Sequence, residues 1–272
     1  MKKVGVIGAN GMLGDVLSEY FRNKAYNVES ITRREFNIAE ENIKNLDSVV
    51  KSLDFVVNCV GIIKPRIAET PIEEVLKVNS IFPMNLARLC NRYEKPCFHV
   101  TTDCVYSGKK GKYTELDYFD AEDVYGLSKN AGDMTDCMVI RTSLIGEERN
   151  TLRSLLSWVK SQKGKTINGY TNHYWNGVTT LYFAEIIETI LKKDLYAKGI
   201  YHIFSKEIVS KFELIEMINK IYSLGITVNK FKAPESCDRS LSSEKELCNK
   251  IVRKSLRIQI EEMKTFFENY VK

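Results

Sequence analysis

The first fourteen residues constrain the fold more than any other stretch of this chain. Val4-Gly5-Val6-Ile7 is a short apolar run led by Lys2-Lys3, and Gly8-Ala9-Asn10-Gly11-Met12-Leu13-Gly14 follows without a break. From Asp15 to Phe21 apolar residues recur at helical intervals. A buried parallel strand, a glycine-rich turn and a helix N-terminus in succession is the arrangement that binds a dinucleotide pyrophosphate. Gly8 permits the tight turn, Gly11 lets the backbone approach the phosphates, and Gly14 lets the helix pack closely on the strand. Asn10, Met12 and Leu13 lie between these glycines and are expected to share the cofactor contact. The spacing is GxxGxxG, one residue longer at the front than GxGxxG. Many turns carry glycines; their position directly between strand and helix is what gives these ones meaning.

Strand and helix patterns then alternate through the first half, which predicts a parallel sheet with helices on both faces. Strands are expected over 26–31, 53–60, 96–101 and 138–142. A helix is expected over 73–93, with Val75, Val78, Phe82, Leu86 and Leu89 on one stripe. After Gly146 the rhythm changes. Helices are expected over 151–162, 181–192, 212–222 and 260–271, a strand over 199–204 and a loop over 234–241. The fold class is therefore α/β, a Rossmann-type doubly wound parallel sheet with a smaller C-terminal α+β lobe for substrate. Residues 1–150 plus about 178–206 are assigned to the nucleotide domain, and about 151–177 plus 207–272 to the lobe.

A chain of 272 residues can bury a sizeable core, and 44% apolar with 28% charged residues is ordinary for a soluble globular protein. The formal charge of +5 arises from 40 basic and 35 acidic residues scattered along the chain. There is no basic block, which argues against nucleic acid as a partner. The mild positive balance suits an anionic small molecule. Seven cysteines without a CxxC pair, and three histidines without metal-ligand spacing, read as reduced thiols in a cytoplasmic protein with no metal site. The chain runs straight into a strand, leaving no room for a targeting peptide, and no apolar run approaches membrane-spanning length.

Two further pieces carry chemistry. Thr101-Thr102-Asp103-Cys104-Val105-Tyr106 stands at the end of an expected strand, and Tyr125-Gly126-Leu127-Ser128-Lys129 follows. On a helix, Tyr125 and Lys129 share a face. A phenol has an ordinary pKa of about 10, and a nearby ammonium pulls it down toward general acid/base use. The hydroxyl of Thr102 can then polarise a carbonyl that Tyr125 protonates. A Tyr-x-x-x-Lys pair alone is common on solvated helix surfaces; the combination in this order is what points to chemistry.

That combination resembles the extended short-chain dehydrogenase/reductase superfamily, and within it the dTDP-4-dehydrorhamnose reductase family. Thr101 to Gly108 is similar to the family's Ser-Thr-Asp-Tyr-Val-Phe-Asp-Gly. Val124-Tyr125-Gly126 leads to Lys129, and Ile140-Arg141-Thr142-Ser143 before Gly146 matches the family's Arg-Thr-Ser strand. Asp238-Arg239-Ser240-Leu241 resembles a late substrate-side loop. The likeness is strong to Gly146 and thin after it. It implies that Tyr125 is the proton donor, that Lys129 binds the nicotinamide ribose and lowers the tyrosine pKa, and that Thr102 holds the same oxygen. It places Asn79 in the site as a shaping residue, Cys59, Val60 and Gly61 along the cofactor, and Asp103 and Cys104 at the substrate. Cys104 is read as a packed cysteine rather than a nucleophile.

The cofactor follows from the end of the second strand, where an acid favours NAD and arginine accommodates a 2′-phosphate. Ser30-Ile31-Thr32-Arg33-Arg34 offers no acid and two arginines, so NADP(H) is favoured and NAD(H) remains open, as does a solvated role for the arginines. Asn37 and Ile38 are expected near the adenine. Trp175, with Tyr170, His173, Tyr174 and Asn176, either lines a sugar-nucleotide pocket or forms an aromatic hinge. Arg239 either pairs with a substrate diphosphate or joins a surface ion pair. The expected function is reduction of a nucleotide-linked 4-keto-6-deoxyhexose in deoxysugar and polysaccharide biosynthesis. Its rivals are an epimerase or dehydratase of the same fold and a non-catalytic regulatory subunit. A homodimer is an option the sequence leaves open.

Overall fold

The computed structural model describes residues 1–149 and 152–270. Its central sheet is built from β1 (Lys3–Ile7), β2 (Asn27–Ile31), β3 (Phe55–Asn58), β4 (Cys97–Thr102), β5 (Met138–Thr142) and the edge strand Gly199–His202. Every neighbouring pair is parallel, in the spatial order β2, β1, β3, β4, β5, edge strand. Successive side chains alternate between two cores: Val4, Val6, Phe55, Val57 and Ile140 face one way, while Val56, Cys97 and Val139 face the other. Both faces are covered, so the strands read as unbroken apolar runs rather than alternating ones. From β1 the chain returns at β2 on one side and crosses to β3 on the other. A ligand crevice opens at such a reversal, beyond the carboxyl ends of the strands.

α1 (Met12–Asn23) and the helix Thr180–Lys192 cover one face through Leu17, Phe21, Phe183 and Ile187. α2 (Asp47–Ser52) contributes Val50 to the other face. The single helix expected over 73–93 is three segments: α3 (Ile72–Leu76), a π turn (Lys77–Ile81) and α4 (Phe82–Arg92). Pro83 explains the break, since it has no N–H to give the Asn79 carbonyl and its ring would crowd that oxygen. α5 (Val124–Asp133) packs against the π turn, where Gly132 is required because a Cβ would collide with the Asn79 carbonyl.

In the C-terminal region Thr166–Tyr170 pairs in parallel with Thr227–Phe231. Val209–Ser210, His173–Trp175 and Cys237–Asp238 form a three-stranded sheet. The last of these lies inside the segment expected to be a loop. The helix Lys211–Tyr222 starts on a reciprocal cap: the Glu213 N–H donates to Ser210 Oγ (3.2 Å), and the Ser210 N–H to the Glu213 carboxylate (2.7 Å). Helices expected over 151–162 and 260–271 are found as Leu155–Ser161 and Leu256–Tyr270. Thr151 and Val271, the outer limits of those expectations, lie outside the described residues. Among the described residues no helix is long and apolar enough to cross a membrane.

Candidate active site

The glycine turn behaves as its composition demands. Gly8 has φ +84°, and a Cβ there would approach Val60 Cγ2 to 2.9 Å. Its N–H donates to the Ile31 carbonyl (2.8 Å), tying the turn to the end of β2. A Cβ at Gly14 would collide with the Gly8 carbonyl oxygen, so α1 lies on the turn only because no side chain intervenes. Gly11 caps α1 without a side-chain acceptor, and the first-turn N–H groups of Met12, Leu13 and Gly14 have no intrahelical partner. Such unpaired N–H groups at a helix start favour an anion. Gly14→Ala is expected to cost about 1–3 kcal/mol by pushing α1 off the turn, read from the urea midpoint; an unchanged midpoint would contradict this packing.

A cleft of about 280 Å³ opens beside these donors. Gly8, Asn10 and Gly11 form its floor, Thr32, Arg33, Asn37 and Ile38 one wall, and Cys59, Val60 and Gly61 the other. Leu13 points its side chain into the core, so only its backbone is available there. Arg33 lines the cleft and pairs with Glu74 at 3.3 Å. Arg34 is not part of the lining; its N–H donates to Thr32 Oγ1 (3.2 Å). Burial pushes the Cys59 thiol well up, against the pull of Lys129, so this cysteine is an inert part of the wall. Side-chain-free backbone at Gly8 and Gly11, free helix N–H groups and a cationic rim fit a dinucleotide phosphate chain.

The chemistry-bearing side chains gather at the next strand end. Thr102 closes β4, and Tyr125 lies in the first turn of α5, whose cap is Asp123 accepting from the Gly126 N–H (2.8 Å). Thr102 lies beside Tyr125, where its hydroxyl favours the ionised form of the phenol. Thr102 Oγ1 also donates to Asp103 (3.2 Å) and accepts from the Cys104 N–H (3.0 Å). One helical turn after Tyr125, Lys129 is buried and its amine donates to the Val100 carbonyl (3.4 Å). A Cβ on Gly61 would lie 3.5 Å from that amine and 3.6 Å from Asn79 Oδ1, so Gly61, Lys129 and Asn79 meet at the inner end of the cleft. Asn79 is held by the Ile62 N–H (2.8 Å) and donates to the Ile62 carbonyl and to Ser128 Oγ (both 3.1 Å).

One electrostatic expectation is reversed. Tyr125 is held above the ordinary phenol value, first by burial, with Asp103 adding to it and Thr102 pulling the other way. Lys129 is not among the largest causes. Its own pKa is pushed down by burial and supported by Asp133 and Cys59. In place of a phenolate, the structure presents a phenol that keeps its proton at neutral pH.

Arg141, matched in sequence only as part of a strand, anchors this arrangement. At the end of β5 it pairs with Asp133 at 2.7 Å, both side chains being almost fully buried. It also donates to Tyr106 Oη (2.9 Å) and Asn130 Oδ1 (3.3 Å). Asp133 in turn supports the charge of Lys129.

The residues expected at the substrate come together beside Thr102. Asp103 is buried, and its carboxyl is raised by burial against the pull of Arg239 and Lys211. Burial pushes the Cys104 thiol up to about 12, which makes it no nucleophile at neutral pH. Trp175 is buried with the Lys211 amine 5.5 Å from its ring centroid. Arg239 joins no surface ion pair among the described residues; its Nε donates to the Tyr106 carbonyl (2.8 Å) and its charge faces Asp103 and Cys104. Tyr170 and Tyr174 remain exposed, Tyr170 packing on His173 and Phe231. Lys211 was not foreseen, since a lysine opening an ordinary capped helix carries no signal of its own.

The sheet and the glycine turn define a Rossmann-type fold, shared with solved structures of similar topology. The chain belongs to the RmlD substrate binding domain family, which it matches over residues 1–271. It is similar to the spore coat polysaccharide biosynthesis protein SpsK of Bacillus subtilis (strain 168), 26% identical over 228 residues that cover 80% of this chain and 78% of that one. It is also 26% identical to a dTDP-4-dehydrorhamnose reductase of Aggregatibacter actinomycetemcomitans, over 230 residues covering 78% of this chain and 76% of that one. Among solved structures, dTDP-4-dehydrorhamnose reductase from Bacillus anthracis str. Ames in complex with NADP superposes with a TM-score of 0.82 at 21% identity. That match covers 98% of this chain and 99% of the other, and it speaks to the fold.

Proposed function

We propose that this chain is an NAD(P)H-dependent reductase of a nucleotide-linked 4-keto-6-deoxyhexose, acting in deoxysugar and polysaccharide biosynthesis. The observation that carries the reading is that Thr102 neighbours Tyr125 while Lys129, one helical turn on, meets Gly61 at the end of the cleft. Family membership over almost the whole chain and the named relatives support the same substrate class.

A bound nicotinamide supplies the hydride for the keto carbon. Tyr125 delivers its phenolic proton to the keto oxygen as charge develops there, leaving a hydroxyl, and the phenolate regains a proton from solvent. Thr102 holds the same oxygen from the strand side. A phenol kept above its ordinary pKa stays protonated until the moment of transfer, which is the state a donor needs. The Lys129 ammonium, held charged by Asp133, would bind the ribose hydroxyls of the cofactor. The first-turn N–H groups of α1 take the pyrophosphate, and Arg33 the 2′-phosphate of NADPH. In this reading residues 1–150 with about 178–206 bind cofactor, and the remainder closes over the sugar. A homodimer belongs to this reading, and sedimentation of the purified protein checks it.

The test is oxidation of NADPH and of NADH against a panel of nucleotide-linked 4-keto-6-deoxyhexoses. Stoichiometric oxidation with a higher kcat/KM for NADPH is expected. Sugar conversion without net loss of reduced cofactor would instead assign an epimerase or dehydratase, and no conversion at all a non-catalytic subunit.

A further inference from the structure

A small sheet brings two cations to the sugar end of the proposed site. His173–Trp175 is its central strand, flanked by Val209–Ser210 on one side and Cys237–Asp238 on the other. Lys211 and Arg239 are the first residues after those flanking strands. The sheet presses on the loop after Asp103: a Cβ on Gly108 would meet Cys237 Sγ at 2.7 Å and Arg239 Cγ at 3.2 Å. Arg239 is fixed there by its bond to the Tyr106 carbonyl (2.8 Å), and Lys211 lies over Trp175 with its amine 5.5 Å from the ring centroid.

The charges do not balance. Both cations face Asp103 and Cys104, the two residues after Thr102. Asp103 is the carboxylate they share, and Asp123, which also faces Arg239, is already bound to Lys64 at 2.7 Å. Among the described residues, neither Lys211 nor Arg239 makes an ion pair within 4.0 Å, and the Lys211 ammonium makes no hydrogen bond. Burial pushes the Lys211 pKa below its ordinary value, with Asp103 opposing. A half-buried ammonium resting on an indole face without an ion-pair partner gains from a ligand oxyanion.

We propose that Lys211 and Arg239 form an oxyanion site against Trp175, holding a phosphate or carboxylate group of the sugar nucleotide. The inference rests on the reductase reading only in taking the ligand to be a sugar nucleotide. It assigns Lys211 to substrate selectivity.

The test uses the full chain saturated with NADPH and calorimetric titration, so it does not depend on turnover. Lys211→Met keeps the aliphatic stem over Trp175 and removes the charge; Lys211→Arg keeps the charge. dTDP against thymidine probes a phosphate source, and UDP-glucuronate against UDP-glucose a carboxylate source. In one of the two pairs the wild type is expected to prefer the charged member, and Lys211→Met to lose that preference by roughly 10- to 100-fold, the worth of a charge-assisted hydrogen bond. Lys211→Arg should retain it, and NADPH affinity should not move. Arg239→Gln reads the same site should the methionine variant not fold. Preferences unchanged in both pairs would overturn the proposal, even if 4-keto sugars are reduced. A Lys211-dependent preference without reduction of any 4-keto sugar would instead sink the reductase reading and leave this one standing.

Discussion

Tyr125→Phe should lower kcat by roughly 10²- to 10⁴-fold, the usual worth of a positioned proton donor, while the dissociation constant for NADPH stays within about twofold. The substitution is conservative where it matters for folding. The ring stays, the Asp123 cap on the Gly126 N–H is untouched, and Thr102 keeps both its acceptor in Asp103 and its donor in the Cys104 N–H. What is lost is the phenolic hydroxyl beside Thr102, whose proton burial holds in place at neutral pH. Stopped-flow oxidation of bound NADPH and fluorescence titration of the cofactor separate the two quantities. A variant retaining more than a tenth of the wild-type rate would remove Tyr125 from the chemistry.

The second large effect is on stability. Arg141→Met should cost about 3–5 kcal/mol, because it strands the Asp133 carboxylate in an environment that already raises its pKa by burial. Three bonds disappear together, to Asp133, Tyr106 and Asn130, and with them the tie between β5 and the C-terminal end of α5. Asp133→Asn combined with Arg141→Met should recover a substantial part of the loss, since no charge is then left unpaired. Urea denaturation of the two single variants and the double variant measures the coupling. Additive losses would mean that the pair contributes through independent contacts, and that Lys129 is not held charged through this chain of residues.

The parts of the molecule legible in the sequence are those whose meaning is local. Gly8 and Gly14 encode a backbone path by lacking a side chain, and the structure shows the collisions any other residue would cause. Tyr125 and Lys129 share a helix face by spacing alone, and Thr102 follows from being the last residue of a strand. The illegible parts depend on what packing brings near. Periodicity over 73–93 reads as one helix, yet Pro83 turns part of it into a π turn that aims Asn79. Thr227–Phe231 is largely exposed and carries no alternating pattern, so it escaped notice as a strand. The expected lowering of the Tyr125 pKa assumed that Lys129 dominates its surroundings, whereas burial does. Lys211 lies over a hundred residues from Asp103 in the chain, and only the three-stranded sheet reveals that they face each other.

The central claim is net reduction of a keto sugar at the junction of Thr102, Tyr125 and Lys129. The most direct measurement is the fate of deuterium from C4-labelled NADPH during conversion of a nucleotide-linked 4-keto-6-deoxyhexose. One deuterium at sugar C4 for each NADPH consumed, absent in Tyr125→Phe, is the predicted result. Product formed with no deuterium at that carbon, or with NADPH left intact, would contradict it.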